Sequence, residues 1–97
     1  MKKAIFLQPA EQEMLESAQY YESQAKGLGS AFLTEIQRAV KSIESNPESW
    51  TLVRGNTRRR LVKRFPYGIL YRIEPVEIVI IAVMHLHRNP NYWHDRC

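Results

Sequence analysis

From Ala10 onward, Ala10, Met14, Ala18, Tyr21 and Ala25 recur every three or four residues while Glu11, Glu13, Glu16 and Glu22 fill the other faces. This is the spacing of an amphipathic helix. Pro9 stands where a first-turn N–H has no intrahelical partner, so its missing donor costs little there, and "KAIFL" before it reads as a short strand. In "KGLGS" the glycines Gly27 and Gly29 permit the positive φ of a tight connection, and Ser30 is placed to cap a second helix. That helix carries the apolar stripe Phe32, Ile36, Val40 and Ile43 and runs to "SNPESW", where Pro47 disfavours helical backbone at Asn46. Two such helices joined by so short a link predict a hairpin.

Beyond Trp50 the period changes. After a loop through Arg54, Gly55 and Asn56, strands are expected over about 57–65, 68–74 and 76–86, with "FPYG" turning the first pair and Glu74–Pro75 the second. "VEIVIIAVM" is apolar at successive positions, as in a central strand covered on both faces. The expected fold is therefore α+β in the order β-α-α-β-β-β, residues 1–97 forming one domain, with a helical hairpin on a small, mainly antiparallel sheet. Ala18, Tyr21, Phe32, Ile36, Val40, Ile69, Tyr71, Ile80 and Ala82 are the expected core, Tyr20 lies at its margin, and Trp50 closes it between helix and sheet.

Composition narrows the partners more than the fold. A chain of 97 residues with 44% hydrophobic and 25% charged residues is globular rather than disordered. No apolar run reaches membrane-spanning length, and a cytoplasmic address with no membrane partner is the expectation. Cys97 is the single cysteine and the last residue, so it reads as a frayed thiol. Charge is uneven: residues 1–49 carry five Lys or Arg against seven Glu, net −2, whereas residues 50–97 carry nine against three acids, net +6. The second half is the expected contact surface for an acidic partner.

"RRRLVKRFPYGILYRI" concentrates that charge. Strand alternation puts Arg58, Arg60, Val62 and Arg64 on one face and Arg59, Leu61, Lys63 and Phe65 on the other. Such a ribbon protects an edge against aggregation, or it receives phosphates or an acidic peptide together with Arg72, Arg88, Arg96 and the aromatics Tyr67, Tyr71, Tyr92 and Trp93. His85 and His87 in "HLH" are two apart on a strand, but a metal site needs further fixed ligands, and a terminal "HDRC" with His94, Asp95 and Cys97 is a poor source. No metal or cofactor is expected. No positioned serine accompanies Asp95 and a histidine, so there is no nucleophilic triad, and "GLG" is a helix connection rather than a phosphate loop.

Three segments together, "AEQEMLESAQYYESQAKGLGSAFLTEIQRAVKSIESNPESW", "RRRLVKRFPYGILYRI" and "IIAVMHLHRNPNYWHDR", resemble the RelE/ParE superfamily of type II toxin–antitoxin toxins over nearly the whole chain. The resemblance implies the same element order, a sheet curling round a helical hairpin, and a cognate antitoxin as partner in a toxin–antitoxin hetero-oligomer. An initially disordered antitoxin segment is expected along the hairpin and the sheet edge. Two activities divide the superfamily. RelE-like members cleave mRNA on the ribosome, which here would fall to Arg60, Lys63, Arg64 and Tyr92; ParE-like members poison DNA gyrase. The arginine before "LVY" in the RelE pattern corresponds to Gly68, and a second falls near Leu86, which removes charge stabilisation. The endings "HRNP" and "YWHDR" are more similar to the ParE-like branch, which would place target or partner contacts on Arg58, Arg60, Arg64, Arg72, Arg88, Trp93 and Arg96. An inactive relic that only binds antitoxin is the third reading the resemblance allows.

Overall fold

The computed structural model describes residues 1–88 and 92–96. Strand β1 (Ala4–Phe6) leads into helices α1 (Gln8–Gln24) and α2 (Leu28–Ser45), and β2 (Thr51–Arg54), β3 (Thr57–Leu61), β4 (Tyr67–Ile73) and β5 (Ile78–His85) come after them. Single 3-10 turns occupy Pro47–Ser49 and His94–Arg96. The five strands form one sheet in the order β1-β5-β4-β3-β2, in which only β1 runs parallel to its neighbour. No described helix is long and apolar enough to cross a membrane.

The structure departs from the sequence expectation at three places. The expected loop after Trp50 contains an additional strand: β2 turns through Gly55, at φ 52°, and Asn56, and pairs Arg54 with Thr57 and Thr51 with Arg59. Its residues are all exposed, so no burial alternation marks it in the sequence. Strand β3 stops at Leu61 because Val62 to Phe65 form the turn into β4, closed by the Val62 N–H on the Tyr67 carbonyl at 2.9 Å. Arg64 takes φ 72° there, an unusual conformation for a side chain of its size, and Phe65 is thereby turned into the core. Finally, Gly27, not Ser30, stands at the N-cap of α2, with φ 85°. Its cap comes from the preceding helix, for the Glu22 carboxylate accepts the Gly27 N–H at 2.9 Å and the Gly29 N–H at 3.0 Å. A carboxylate at this end also suits the helix dipole.

Both helices lie on one face of the sheet. Between them and the strands pack Ala10, Ala18, Phe32, Ile36, Ala39, Ile43, Ile69, Tyr71, Ile78, Ile80 and Val83, with an aromatic cluster of Tyr21, Phe32, Phe65 and Tyr67 at one end. Tyr21 and Val40 are half-buried rather than fully enclosed. The opposite face carries a second, smaller cluster of Leu70, Ile81, Ala82, Met84 and Trp93. The apolar run of β5 is thus explained: Ile78 and Ile80 face the helices, a register shift opposite Leu70 and Tyr71 intervenes, and Ile81 and Ala82 both join the far cluster.

Ile36 and Ile80 are 1% and 0% exposed, so truncating either to alanine should cost about 2–5 kcal/mol in urea unfolding. Gly29 faces a separate test. A Cβ there would lie 2.5 Å from the Ala18 carbonyl oxygen, and Gly29→Ala should lower stability by about 1–3 kcal/mol despite alanine's better helix propensity. An unchanged melting temperature in Gly29→Ala would contradict the close approach of the helices.

Candidate functional site

Strand alternation distributes the basic ribbon over two faces. On the helix side, Arg58 donates from Nη1 to the Trp50 carbonyl at 2.7 Å and to the Glu48 carbonyl at 3.2 Å. Arg60 donates from Nε to Ser42 Oγ at 3.0 Å and from Nη1 to its neighbour's carbonyl at Leu61, and its guanidinium sits 5.0 Å from the Trp50 ring. Tyr71, also on this side, donates to the Pro47 carbonyl. Its phenol pKa is raised because burial outweighs the nearby Arg58 and Arg60. These two arginines therefore join the β2–β3 hairpin to the end of α2 while keeping part of their charge at the surface.

On the far side, Arg54, Arg59 and His94 border a cavity of about 240 Å³ floored by Leu70, Met84 and Trp93. It adjoins a second, of about 520 Å³, that shares Arg54, Trp93 and His94 and adds Asn56, Thr57, Arg72 and Glu74. Gly68 makes room for this arrangement, since a Cβ there would come within 3.2 Å of the Arg59 side-chain stem. Arg72 is paired with Glu74 at 2.6 Å, and Arg54 Nη1 lies 3.2 Å from His94 Nε2. The trough is rich in donors and contains one carboxylate, already paired.

The C-terminal turn closes the third part of the site. Beyond Ile80, strand β5 has left its parallel partner β1, and its edge is covered from α1 instead. Glu13 Oε1 accepts the Val83 N–H at 3.1 Å, while Arg96 donates to both Glu13 oxygens at 3.0 and 3.1 Å and to the Ile81 carbonyl at 3.2 Å. The Tyr92 ring lies between two guanidiniums, 4.1 Å from that of Arg88 and 5.0 Å from that of Arg96. Its hydroxyl is buried and makes no well-formed hydrogen bond among the described residues. Burial first, and then the adjacent Glu13, push the phenol well above the usual tyrosine range against the opposing pull of Arg96 and Arg88. Trp93 is 4% exposed, its indole N–H likewise unpartnered among the described residues.

The sequence-derived residues thus fall into separate places. Arg58 and Arg60 sit on the helix side of β3, Arg72 and Trp93 line the far trough, Arg88 and Arg96 clamp Tyr92, and Lys63 and Arg64 are exposed in the β3–β4 turn. The proposed ribonuclease set is not assembled: Arg60 reaches α2, whereas Tyr92 packs against the cluster on the opposite face. His85 accepts the His87 backbone N–H on Nδ1 at 3.1 Å, and no three His, Cys, Asp or Glu side chains converge among the described residues. Cys97 lies outside the described residues. Glu13 and Arg54 were not anticipated as site residues, Arg59 was read only as part of the basic ribbon, and His94 only as a poor metal ligand. Glu13 is one of several helix glutamates with nothing local to single it out, and Arg54 read as a loop residue.

The family model for the ParE toxin of the type II toxin-antitoxin system parDE matches residues 4–90. Among solved structures, a chain of the chromosomal ParDE TA system from P. aeruginosa is similar, at 14% identity and a TM-score of 0.66, over 90% of this chain and 98% of that one. No curated protein matches the sequence.

Two outcomes are expected of the C-terminal clamp. Glu13→Gln should destabilise the fold by about 1–3 kcal/mol, because it weakens charge-assisted hydrogen bonds to a partly buried arginine. The folded chain also holds the Tyr92 proton more tightly than the unfolded chain does. Stability should therefore be unaffected by this group below its ordinary pKa of 10.0 and fall as pH rises beyond it. Ultraviolet titration of phenolate should show the most alkaline transition disappear in Tyr92→Phe.

Proposed function

We propose that this chain, which belongs to the ParE toxin family of type II toxin–antitoxin systems, arrests growth by poisoning DNA gyrase and is neutralised by its cognate antitoxin. The toxin role and an antitoxin partner follow from the family. Gyrase as the target is supported by one observation above the others, the state of Tyr92. General acid–base chemistry on RNA needs a tyrosine that reaches the scissile phosphate and exchanges its proton at working pH. Here the phenol oxygen is buried without a well-formed hydrogen bond among the described residues, its pKa is raised, and the sheet separates it from Arg60. No guanidinium occupies position 68, where the Arg59 stem crosses instead. Of the expected ribonuclease cations, Arg60 is tied to Ser42 on the helix side and Lys63 and Arg64 stand in the β3–β4 turn, so that set does not assemble around Tyr92 the preorganised charge that would stabilise a phosphorane.

On this reading the toxin acts by contact, and the exposed cations supply it. Arg88 is exposed and held in direction by Tyr92, Arg64 is exposed in its turn, and Arg54 and Arg59 border the far trough. Arg96 contributes by holding the C-terminal turn to Glu13 and Ile81, with Tyr92 stacked between it and Arg88.

Purified wild-type protein should inhibit supercoiling by gyrase and leave translation in a ribosome extract intact. Tyr92→Phe, which keeps the ring between the two guanidiniums, should retain gyrase inhibition within a few-fold, whereas Trp93→Ala should lose most of it, through about 3–5 kcal/mol of lost packing. Ribosome-dependent mRNA cutting that disappears in Tyr92→Phe, without any effect on gyrase, would overturn the proposal.

A further inference from the structure

The apolar side chains of the hairpin are not all enclosed against the sheet. Gly29 lets α2 touch α1 at the Ala18 carbonyl; farther along the pair, α1, α2 and Phe6 of β1 border an open groove of about 610 Å³. Phe6, Met14, Leu33 and Val40 line it, each only half-buried, above a floor at Ile36. Leu15, on the α1 bank, is 50% exposed. A half-exposed leucine beside a contiguous apolar recess is the kind of surface that a protein partner covers.

Charge identifies the partner. Helix α1 has no Lys or Arg, and Glu11, Gln12, Glu16 and Gln19 surround Leu15 on its bank. The α2 bank carries Lys41 at the groove and Arg38 one turn earlier. Glu44, the acid of α2 that borders the groove, is already bonded to the Ala4 N–H at 2.8 Å. The acidic bank would repel a nucleic acid or an anionic membrane. A groove with one acidic and one basic bank is instead complementary to itself, as a two-fold interface requires. Two copies can meet face to face on a two-fold axis that runs along the groove or on one that runs across it. The axis along the groove sets each α1 on the α2 of the other copy, which brings Glu11 and Glu16 towards Lys41 and Leu15 over the facing groove. The axis across it sets α1 on α1, glutamates against glutamates. Like charges in contact oppose that second arrangement.

We propose that the chain self-associates as a two-fold dimer through this groove, with α1 of each copy seated on α2 of the other and Leu15 of each copy covering the facing recess. Glu11 and Lys41 pair across the interface at both of its symmetric ends. The contact uses none of the cations assigned to gyrase and does not depend on that target.

Sedimentation equilibrium of the purified chain over a dilution series should show reversible exchange between monomer and dimer. Leu15→Asp should raise the dissociation constant about tenfold or more, with an unchanged far-ultraviolet circular dichroism spectrum showing that the fold is kept. Glu11→Lys and Lys41→Glu should each weaken the dimer when studied alone. An equimolar mixture of these two variants should recover the wild-type affinity, because opposite charges then face each other at both ends of the interface. A dimer insensitive to Leu15→Asp, or a mixture that associates no more tightly than the separate variants, would overturn the proposal. A chain that stays monomeric at every concentration, and whose Leu15→Asp variant loses only affinity for antitoxin, would assign the groove to the antitoxin and overturn it equally.

Discussion

Strand β5 must be enclosed on two faces and along one edge. Its eight residues are buried apart from the half-exposed His85, and β1 covers only the segment from Ile78 to Ile80. A backbone donor left unpaired beside an apolar core costs about 1–3 kcal/mol. Much of the molecule is arranged round that requirement. The helices cover one face, and Glu13 of α1 reaches the exposed edge at Val83. The C-terminal turn returns across the other face, so that Trp93 covers Leu70 and Met84 while Arg96 binds both Glu13 and the Ile81 carbonyl.

This closure also decides what the aromatic and cationic residues of the tail can do. Arg96 is consumed by Glu13, and Tyr92 is fixed between Arg88 and Arg96 with its hydroxyl turned into a buried position. A tyrosine so placed stacks against both guanidiniums and keeps its phenol oxygen away from solvent. Arg88 is exposed, with its guanidinium over the Tyr92 ring. The β2–β3 hairpin, which meets the C-terminal turn through Arg54 and His94, shows a different situation: its arginines brace the end of α2 or border an open trough, and the residues of β2 are exposed.

Elements with one buried face were legible in the sequence. The stripes through Ala18 and through Phe32, Ile36 and Ile43 gave the hairpin, and the uninterrupted apolar run of β5 announced a strand buried on both sides. The resemblance to the RelE/ParE superfamily, carried by the same segments, agrees with the family match over residues 4–90. Strand β2 was not legible, because a fully exposed edge strand shows no alternation and its Gly55–Asn56 turn looks like any loop. The role of Glu13 was invisible for a different reason. Its partners, Val83 and Arg96, are 70 and 83 residues away, and nothing within one helix distinguishes it from Glu11 or Glu16. The division of the arginines between two faces followed from simple alternation, but their occupation by Ser42, Trp50 and Glu48 depends on where α2 ends.

We propose that a toxin whose tail tyrosine is buried beneath Arg88 and Arg96 acts on DNA topology and not on RNA. The most direct measurement is the linking-number distribution of a reporter plasmid recovered from cells after induced expression, with primer extension on abundant mRNAs from the same cultures. The account predicts a relaxed or linearised plasmid population with intact mRNA ends. Unchanged plasmid topology accompanied by new mRNA ends would contradict it.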